Sequence, residues 1–431
     1  MRLLVIGGGA REHALVSRLR RDTAVGEVLC APGNPGIARL ARTVPAQLSD
    51  VDQLLEIARR ESIDLTVVGP ELPLSLGIAD RFAADARHLL GPTRAAAALE
   101  SSKAFAKAFM ARHRVPTARF QIADTIETAL AAVRSPEAEF PVVLKADGLA
   151  AGKGVTIAND RAEAEQAIAV AMRDRRFGAA GERLVIEEHL SGPEVSFFVL
   201  SDGTRALPIG TAQDHKRVLD DDQGPNTGGM GAFAASPLVD AALQSRIMQE
   251  IVEPVIGGMA AEGYPFRGFL YVGLMLTASG PRVIEFNVRL GDPEAQVIMP
   301  LIDEPLVPLL MAAERGELRQ SACRIHSDRL VGVVLASRGY PESSSAGQAI
   351  RGVDQAERLP GVSVLHGGTA RGTDGQLVTA GGRVLTVVGR ATDFSTAIER
   401  AYDGVSAISF DGMQHRRDIG RRALVSGEMR R

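Results

Sequence analysis

Short apolar runs of strand length alternate with amphipathic stretches over the first hundred residues. LLVIG (3–7), EVLCA (27–31), LTVVG (65–69) and HLLG (88–91) are separated by segments such as REHALVSRLRR and DVDQLLEIARRE, whose apolar residues fall at helical spacing. Strand–helix alternation of this kind predicts a doubly wound parallel α/β sheet. An Ala-rich segment, roughly 93–112, predicts one long helix that ends ahead of Val115-Pro116, since proline disfavours continuation. The block 117–200 carries the strand runs FPVVLKA and RLVIEEH on either side of a helical stretch near 160–173, an α+β module. Residues 204–320 hold long strands, a Gly-rich loop and two helical stretches. Beyond 325 come short strands (VGVVLAS, VSVLHGG, RVLTVVG) and one helix near 395–406, predicting a small mixed C-terminal domain.

The pattern is most informative at EFNVRLGDPE (285–294), which follows the apolar run YVGLML (271–276) and a TASG turn. It is predicted to be the return strand of a hairpin. Side chains on a strand alternate between faces, so Ile284, Phe286, Val288 and Leu290 form a core layer. Glu285, Asn287 and Arg289 share the opposite face, and two hard oxygen donors on one face suit Mg²⁺ with room left for substrate phosphates. Such a face is otherwise a solvated edge. The adjacent Arg289 and the turn Gly291-Asp292-Pro293-Glu294 favour a phosphate-handling metal site.

Composition changes this picture little. A chain of 431 residues predicts about three domains. Its 45% hydrophobic and 23% charged content is ordinary for a globular protein. A net charge of −3 argues against a generic nucleic-acid binder. Cys30 and Cys323 have no CxxC spacing, so neither zinc nor a disulfide framework is indicated. MRLLVIGGG is too short for a signal peptide and no apolar run reaches membrane-spanning length, so a cytoplasmic enzyme is expected.

Four further motifs carry chemistry. GGGAREH (7–13) joins the first strand to the first helix, where backbone N–H groups and the helix terminus attract an anion. As a dinucleotide fingerprint it fails, because Glu12 stands where Gly or Ala is needed and the second strand ends without the ribose-binding acid. A phosphate on a smaller ligand is favoured, with Gly8, Gly9 and Glu12 as candidate substrate contacts. KADGLAAGKGV (145–155) offers Lys145 on a strand and Lys153 in a Gly-rich loop, although Gly154 excludes a P-loop. IEEHLSGPEVSFFV (186–199) places Glu187 and Glu188 at a strand end and Glu194 at the next start, either a surface rim or contacts for adenine and ribose. QDHKR (213–217) and GPNTGGMGA (224–232) bracket an acidic loop and leave backbone free to line a small polar substrate.

The order GGGAREH, GLAAGKGV, QDHKR, GPNTGGMGA and EFNVRLGDPE resembles the phosphoribosylamine–glycine ligases, a family of ATP-grasp enzymes of purine synthesis, over essentially the whole chain. The small departures include Leu290 where Phe is frequent and Pro193 where Glu is common. The resemblance implies an N-terminal substrate-binding domain (1–102), an ATP-grasp domain (103–324) with a mobile lid at about 117–195, and a C-terminal mixed domain (325–431). It implies ATP contacts at Lys103, Lys145, Lys153, Glu187, Glu188 and Glu194, with Mg²⁺ or Mn²⁺ on Glu285 and Asn287. Arg289 and Lys145 would be catalytic, while Asp214, Lys216, Asn226, Arg289 and Asp292 would hold substrate. The implied reaction joins glycine to 5-phosphoribosylamine through glycyl phosphate, in a monomer or weak homodimer. A different carboxylate–amine ligase is the nearest rival. A nicotinamide oxidoreductase or a nucleotide sensor would leave the lysines, the metal pair and Arg289 unexplained.

Overall fold

The computed structural model describes residues 1–148 and 154–428. The first domain is the predicted parallel sheet. Its strands β1 (Arg2–Gly7), β2 (Glu27–Pro32), β3 (Arg42–Thr43), β4 (Leu65–Val68) and β5 (Leu89–Leu90) lie in the order β3-β2-β1-β4-β5. The helices α1 (Ala10–Leu19), α2 (Val51–Arg60), α3 (Glu71–Ser75) and α4 (Ile78–Ala84) follow the strands. Both faces are covered, because Leu3 and Val5 of β1 pack into one core while Leu4 and Ile6 pack into another. The strand order reverses beside β1, and ligands of such sheets bind at the carboxyl ends near that reversal. GGGAREH stands there.

The predicted long helix over 93–112 is broken. Helix α5 (Ala98–Ser101) ends at Ser102, which adopts extended angles of φ −137° and ψ 111° and caps α6 (Lys103–Arg112) by accepting from Phe105 N–H. Alanine content promised continuity, but Ser102 and Asp147 supply the capping oxygens that start a new helix. Asp147 accepts from Ser102 Oγ at 3.0 Å and from Ala104 N–H at 3.1 Å, tying the start of α6 to the KADG turn.

The α+β module is an antiparallel sheet, β6 (Phe120–Ala123), β9 (Leu184–Glu188), β7 (Val142–Ala146) and β8 (Val155–Ala158) in spatial order. It has its own small core with α7 (Ile126–Arg134) and α8 (Arg161–Ile168).

The central sheet begins with β10 (Glu194–Asp202) and β11 (Ala206–Asp214). A small hairpin follows, β12 (Arg217–Leu219) with β13 (Gln223–Asn226), and then β14 (Gly231–Ala234), β15 (Arg267–Thr277) and β16 (Gly280–Asn287). Past 325 lie β17 (Arg329–Ala336), β18 (Val362–His366), the short pair β19 (Thr369–Arg371) and β20 (Leu377–Thr379), and β21 (Arg383–Ala391). The C-terminal segment keeps a core of its own around the helix Phe394–Ala407. Its strands nevertheless extend the central sheet, whose order is β16-β15-β10-β11-β14-β17-β21-β18. That continuity carries C-terminal side chains to the site. No helix among the described residues is long and apolar enough to cross a membrane.

The β15–β16 hairpin forms as predicted, with Thr277 opposite Gly280, but its alternation is interrupted. Gly273 faces Glu285 and Leu274 faces Val283, leaving Ile284 as the extra residue of a bulge. Ile284 is therefore half-buried, and Val283 takes the core position assigned to it. Phe286 and Val288 pack with Val283, whereas Leu290 turns into the opposite core. Of the predicted four-residue layer, Phe286 and Val288 thus enter one core, Leu290 the other and Ile284 neither.

Candidate active site

Glu285 and Asn287 end β16 on one face, as the bulge allows. Burial pushes the Glu285 carboxyl up, but Lys216, Lys145, Lys103 and Arg289 together outweigh burial and hold it below the usual carboxylate range. Three of these cations also carry carboxylate partners of their own, Lys145 with Glu187, Lys216 with Glu194 and Arg289 with Glu71 and Glu100, so the site offers a polyphosphate gathered donors rather than a net positive charge. Among the described residues no group of three or more His, Cys, Asp or Glu is assembled for a metal. One carboxylate and one amide oxygen fit Mg²⁺, which takes few protein ligands when phosphates supply the others.

Each cation is delivered by a different element. Lys103 begins α6 and its Nζ donates to Gly148 O at 2.7 Å. Lys145 lies on β7, donates to Ile284 O at 3.0 Å and stands 2.9 Å from Glu187 Oε1. That approach is not aligned as a hydrogen bond, so Oε1 of the buried Glu187 has no hydrogen-bond donor. Lys216 pairs with Glu194 at 2.8 Å and lies 4.0 Å from Glu285. Lys153 falls outside the described residues.

Arg289, the cation expected to be catalytic beside the metal pair, is already paired. Its fork is filled by Glu71 at 3.1 Å, Glu100 at 2.8 Å, Asn287 Oδ1 at 3.1 Å and Leu290 O at 3.1 Å. Burial opposes its charge, yet Glu100 and Glu71 outweigh that and raise its pKa. In this state Arg289 orients the Asn287 amide. The carboxylates expected at adenine likewise have protein partners. Glu187 pairs with Lys107 and Lys145, and Glu188 accepts from Arg119 N–H at 2.8 Å and Arg119 Nε at 2.7 Å. Neither carboxylate stands free for a base.

The two substrate motifs are zipped together by backbone. His215 N–H donates to Gly231 O, Met230 N–H to His215 O, and Thr227 N–H to Lys216 O, while Arg217 pairs with Asn226 across β12 and β13. Gly229 (φ +109°) leaves no room for a side chain, because a Cβ would lie 2.4 Å from Pro293 Cδ. The Gly-rich loop thereby seats against Asp292-Pro293. His215 is a core residue: burial lowers its pKa to about 3 and neither ring nitrogen has a partner.

Asp214 closes β11 beside Glu294, a residue that sequence reasoning passed over although it ends the GDPE turn. Burial, then the neighbouring Asp214, raises Glu294 to about 7. Its Oε1 accepts from Ser196 Oγ at 3.2 Å, and the same hydroxyl reaches Tyr271 Oη at 3.2 Å.

The first Gly-rich turn differs from expectation. Gly9 N–H, an amide intended for a phosphate, donates to Glu12 Oε2 at 2.6 Å, and Arg11 Nε donates to Glu12 Oε1 at 2.6 Å. Glu12 therefore puts its own negative charge at the start of α1. Gly8 is required by its neighbour, since a Cβ there would lie 2.6 Å from Gly33 O. Beside this turn a cavity of about 220 Å³ is lined by Gly9, Ala10, Asp292, Gly367, Gly368, Arg383 and Thr386. Arg383 holds the cavity wall by donating to Gly228 O and Asp292 O, both at 2.6 Å, and pairs with Asp292 Oδ1 at 3.3 Å. It sits at the head of RVLTVVG, where no local pattern marks it, and only the sheet continuity brings it here.

Comparison with known proteins matches this architecture throughout. Residues 1–100 match the N domain of phosphoribosylglycinamide synthetase, 101–295 its ATP-grasp (A) domain and 330–422 its C domain. The phosphoribosylamine–glycine ligase of Xylella fastidiosa is 49% identical over 429 residues, covering 99% of each chain. That of Vibrio parahaemolyticus is 47% identical over 428 residues, again covering 99% of each. A crystal structure of phosphoribosylamine–glycine ligase from Thermotoga maritima superposes with a TM-score of 0.83 at 33% identity, covering 97% of this chain and 100% of that one. The biotin carboxylase domain of the Hydrogenobacter thermophilus 2-oxoglutarate carboxylase shares the fold at 18% identity, with a TM-score of 0.73 and coverage of 96% and 91%.

Proposed function

This chain belongs to the phosphoribosylglycinamide synthetase family, and from that premise we infer that it ligates glycine to 5-phosphoribosylamine in purine biosynthesis. ATP is consumed, and the products are glycinamide ribonucleotide, ADP and phosphate. The observation that carries the assignment is Glu285 facing Lys103, Lys145, Lys216 and Arg289.

A carboxylate is a poor electrophile, and phosphorylation of glycine gives its carbonyl a leaving group. Charge on the transferring phosphoryl group is best met by preorganised cations in a site that excludes water. Lys103, Lys145 and Lys153 are proposed to hold ATP phosphates. The sheet β6-β9-β7-β8 is proposed as the lid. Glu285 and Asn287 would hold Mg²⁺ or Mn²⁺, which supplies charge neutralisation to the phosphates when bound. Asp214, Lys216, Asn226 and Asp292 border the space left for glycine and the amine, and Glu12 and the cavity beside Arg383 are offered to the ribosylamine. The buried Glu294 is proposed to help receive the proton that the amine loses on attack, because a carboxyl near pH 7 exchanges protons readily.

The test is glycine-dependent ADP release measured with and without phosphoribosylamine. Release that requires both substrates supports the assignment. Release with another carboxylic acid in place of glycine moves it to a different carboxylate–amine ligase.

A further inference from the structure

We propose that Lys107 is a positioning residue that aligns the phosphate lysine Lys145 and the metal strand together. The proposal rests on the ATP-dependent function assigned above.

Lys107 lies one helical turn after Lys103 on α6, so both ammonium groups leave the same face toward β7 and β9. Its Nζ is 2.8 Å from Glu187 Oε2 and donates to Thr117 Oγ1 at 2.7 Å. From Glu187 the contacts continue to Lys145, which donates to Ile284 O. From Thr117 they continue to Val283, whose carbonyl accepts from Thr117 Oγ1 at 2.7 Å. Val283 N–H in turn donates to Pro116 O at 2.8 Å. Both arms starting at Lys107 therefore end on the carbonyls of Val283 and Ile284. Those two residues form the bulge that decides which way Glu285 faces.

The ring is costly if it is only structural. Lys107 and Glu187 are both almost wholly buried, and buried ion pairs are often replaced by apolar residues without loss of stability. Two of the three donors of the Lys107 ammonium are spent on Glu187 and Thr117. What it does hold is geometry: the Glu187 carboxylate that would otherwise swing with Lys145, and the register of the metal strand. Removing it leaves Glu187 paired with Lys145, so the fold is expected to survive while Lys145 is drawn away from phosphate.

The experiment compares Lys107→Met, Lys107→Arg and Glu187→Gln by calorimetric binding of AMP and of a non-hydrolysable ATP analogue with Mg²⁺. Lys107→Met is expected to weaken the triphosphate by roughly tenfold or more while AMP affinity stays near wild type. Lys107→Arg should restore most of the loss, and the KM for glycine should be unchanged in both. Glu187→Gln, nearly isosteric, should show the same triphosphate-selective loss and serves if Lys107→Met does not fold. Equal losses for AMP and triphosphate, or none for either, would overturn the proposal. Glycine-dependent ADP release by the wild type is read separately: an inactive wild type that keeps the binding split sinks the assigned function and not the role of Lys107.

Discussion

Arg289 donates from Nη2 to Asn287 Oδ1 at 3.1 Å, the oxygen that a metal ion would need, while the same nitrogen reaches Glu100 at 2.8 Å. The amide is thereby oriented before any ligand arrives, and Glu100 fixes the strand a second time by accepting from Val288 N–H at 2.7 Å. Arg289→Met should leave the Glu100 carboxylate buried with that one donor. We expect a loss of about 3–5 kcal/mol in denaturant unfolding. Glu285→Ala should instead keep the fold and lower turnover by roughly a hundredfold or more, as loss of a transition-state charge partner does. Normal turnover by Glu285→Ala at limiting Mg²⁺ would remove Glu285 from the metal site.

The bulge separates two adjacent apolar residues in energy. Phe286 is buried in the core, and Phe286→Ala should cost about 3–5 kcal/mol. Ile284, half-buried at the bulge, should cost only roughly 1 kcal/mol on truncation to Ala. Urea midpoints with an unchanged slope check both values, and equal losses would mean that the bulge does not exist in solution.

The contact between the first turn and the C-terminal segment is expected to be acid-sensitive. His13 Nδ1 accepts from His366 N–H at 2.9 Å, and Asn34 Nδ2 bridges Gly8 O and His366 O. Burial, then the neighbouring His366, lowers His13 to about 3; burial, then Arg39, lowers His366 to about 4. Both pKa values lie below that of an unfolded histidine, near 6.5. Their stabilising contribution is therefore complete above about pH 6.5 and is lost as the pH falls toward 4 and 3. Unfolding free energy measured between pH 7 and 4.5 should decline, and His13→Asn should flatten that decline. A wild-type profile level over this range would be incompatible with buried neutral histidines.

At the first turn, Glu12 and Gly8 are predicted to behave differently. Glu12→Gln should raise the KM for phosphoribosylamine by about tenfold and leave that for ATP within about twofold, since only a carboxylate contact is weakened. Gly8→Val should lower stability, because its side chain meets Gly33 O whether or not substrate is present. If Gly8→Val folds with wild-type stability, the backbone contact with Gly33 is not what requires glycine there.

The doubly wound first domain was legible in the chain because its strands are short apolar runs and its helices amphipathic, and both periods are local. The pairing of Glu285 with Asn287 was legible for the same reason, since two residues apart on a strand means one face. The motif order sufficed to indicate the family, and with it an ATP-dependent ligase. What the chain by itself could not decide was which charged group meets which. The partners of Arg289, Glu71 and Glu100, lie more than a hundred and eighty positions earlier and meet it only on folding. Glu187 meets Lys107 and Lys145 only when a helix and a neighbouring strand are packed against it. Ser102 breaks a helix that alanine favours because Asp147, distant in sequence, binds the new helix start. Arg383 enters the site because β21 joins the central sheet. Period and propensity act over a few residues. Charge pairing, desolvation and bulge register act through space, so only the tertiary structure could assign them.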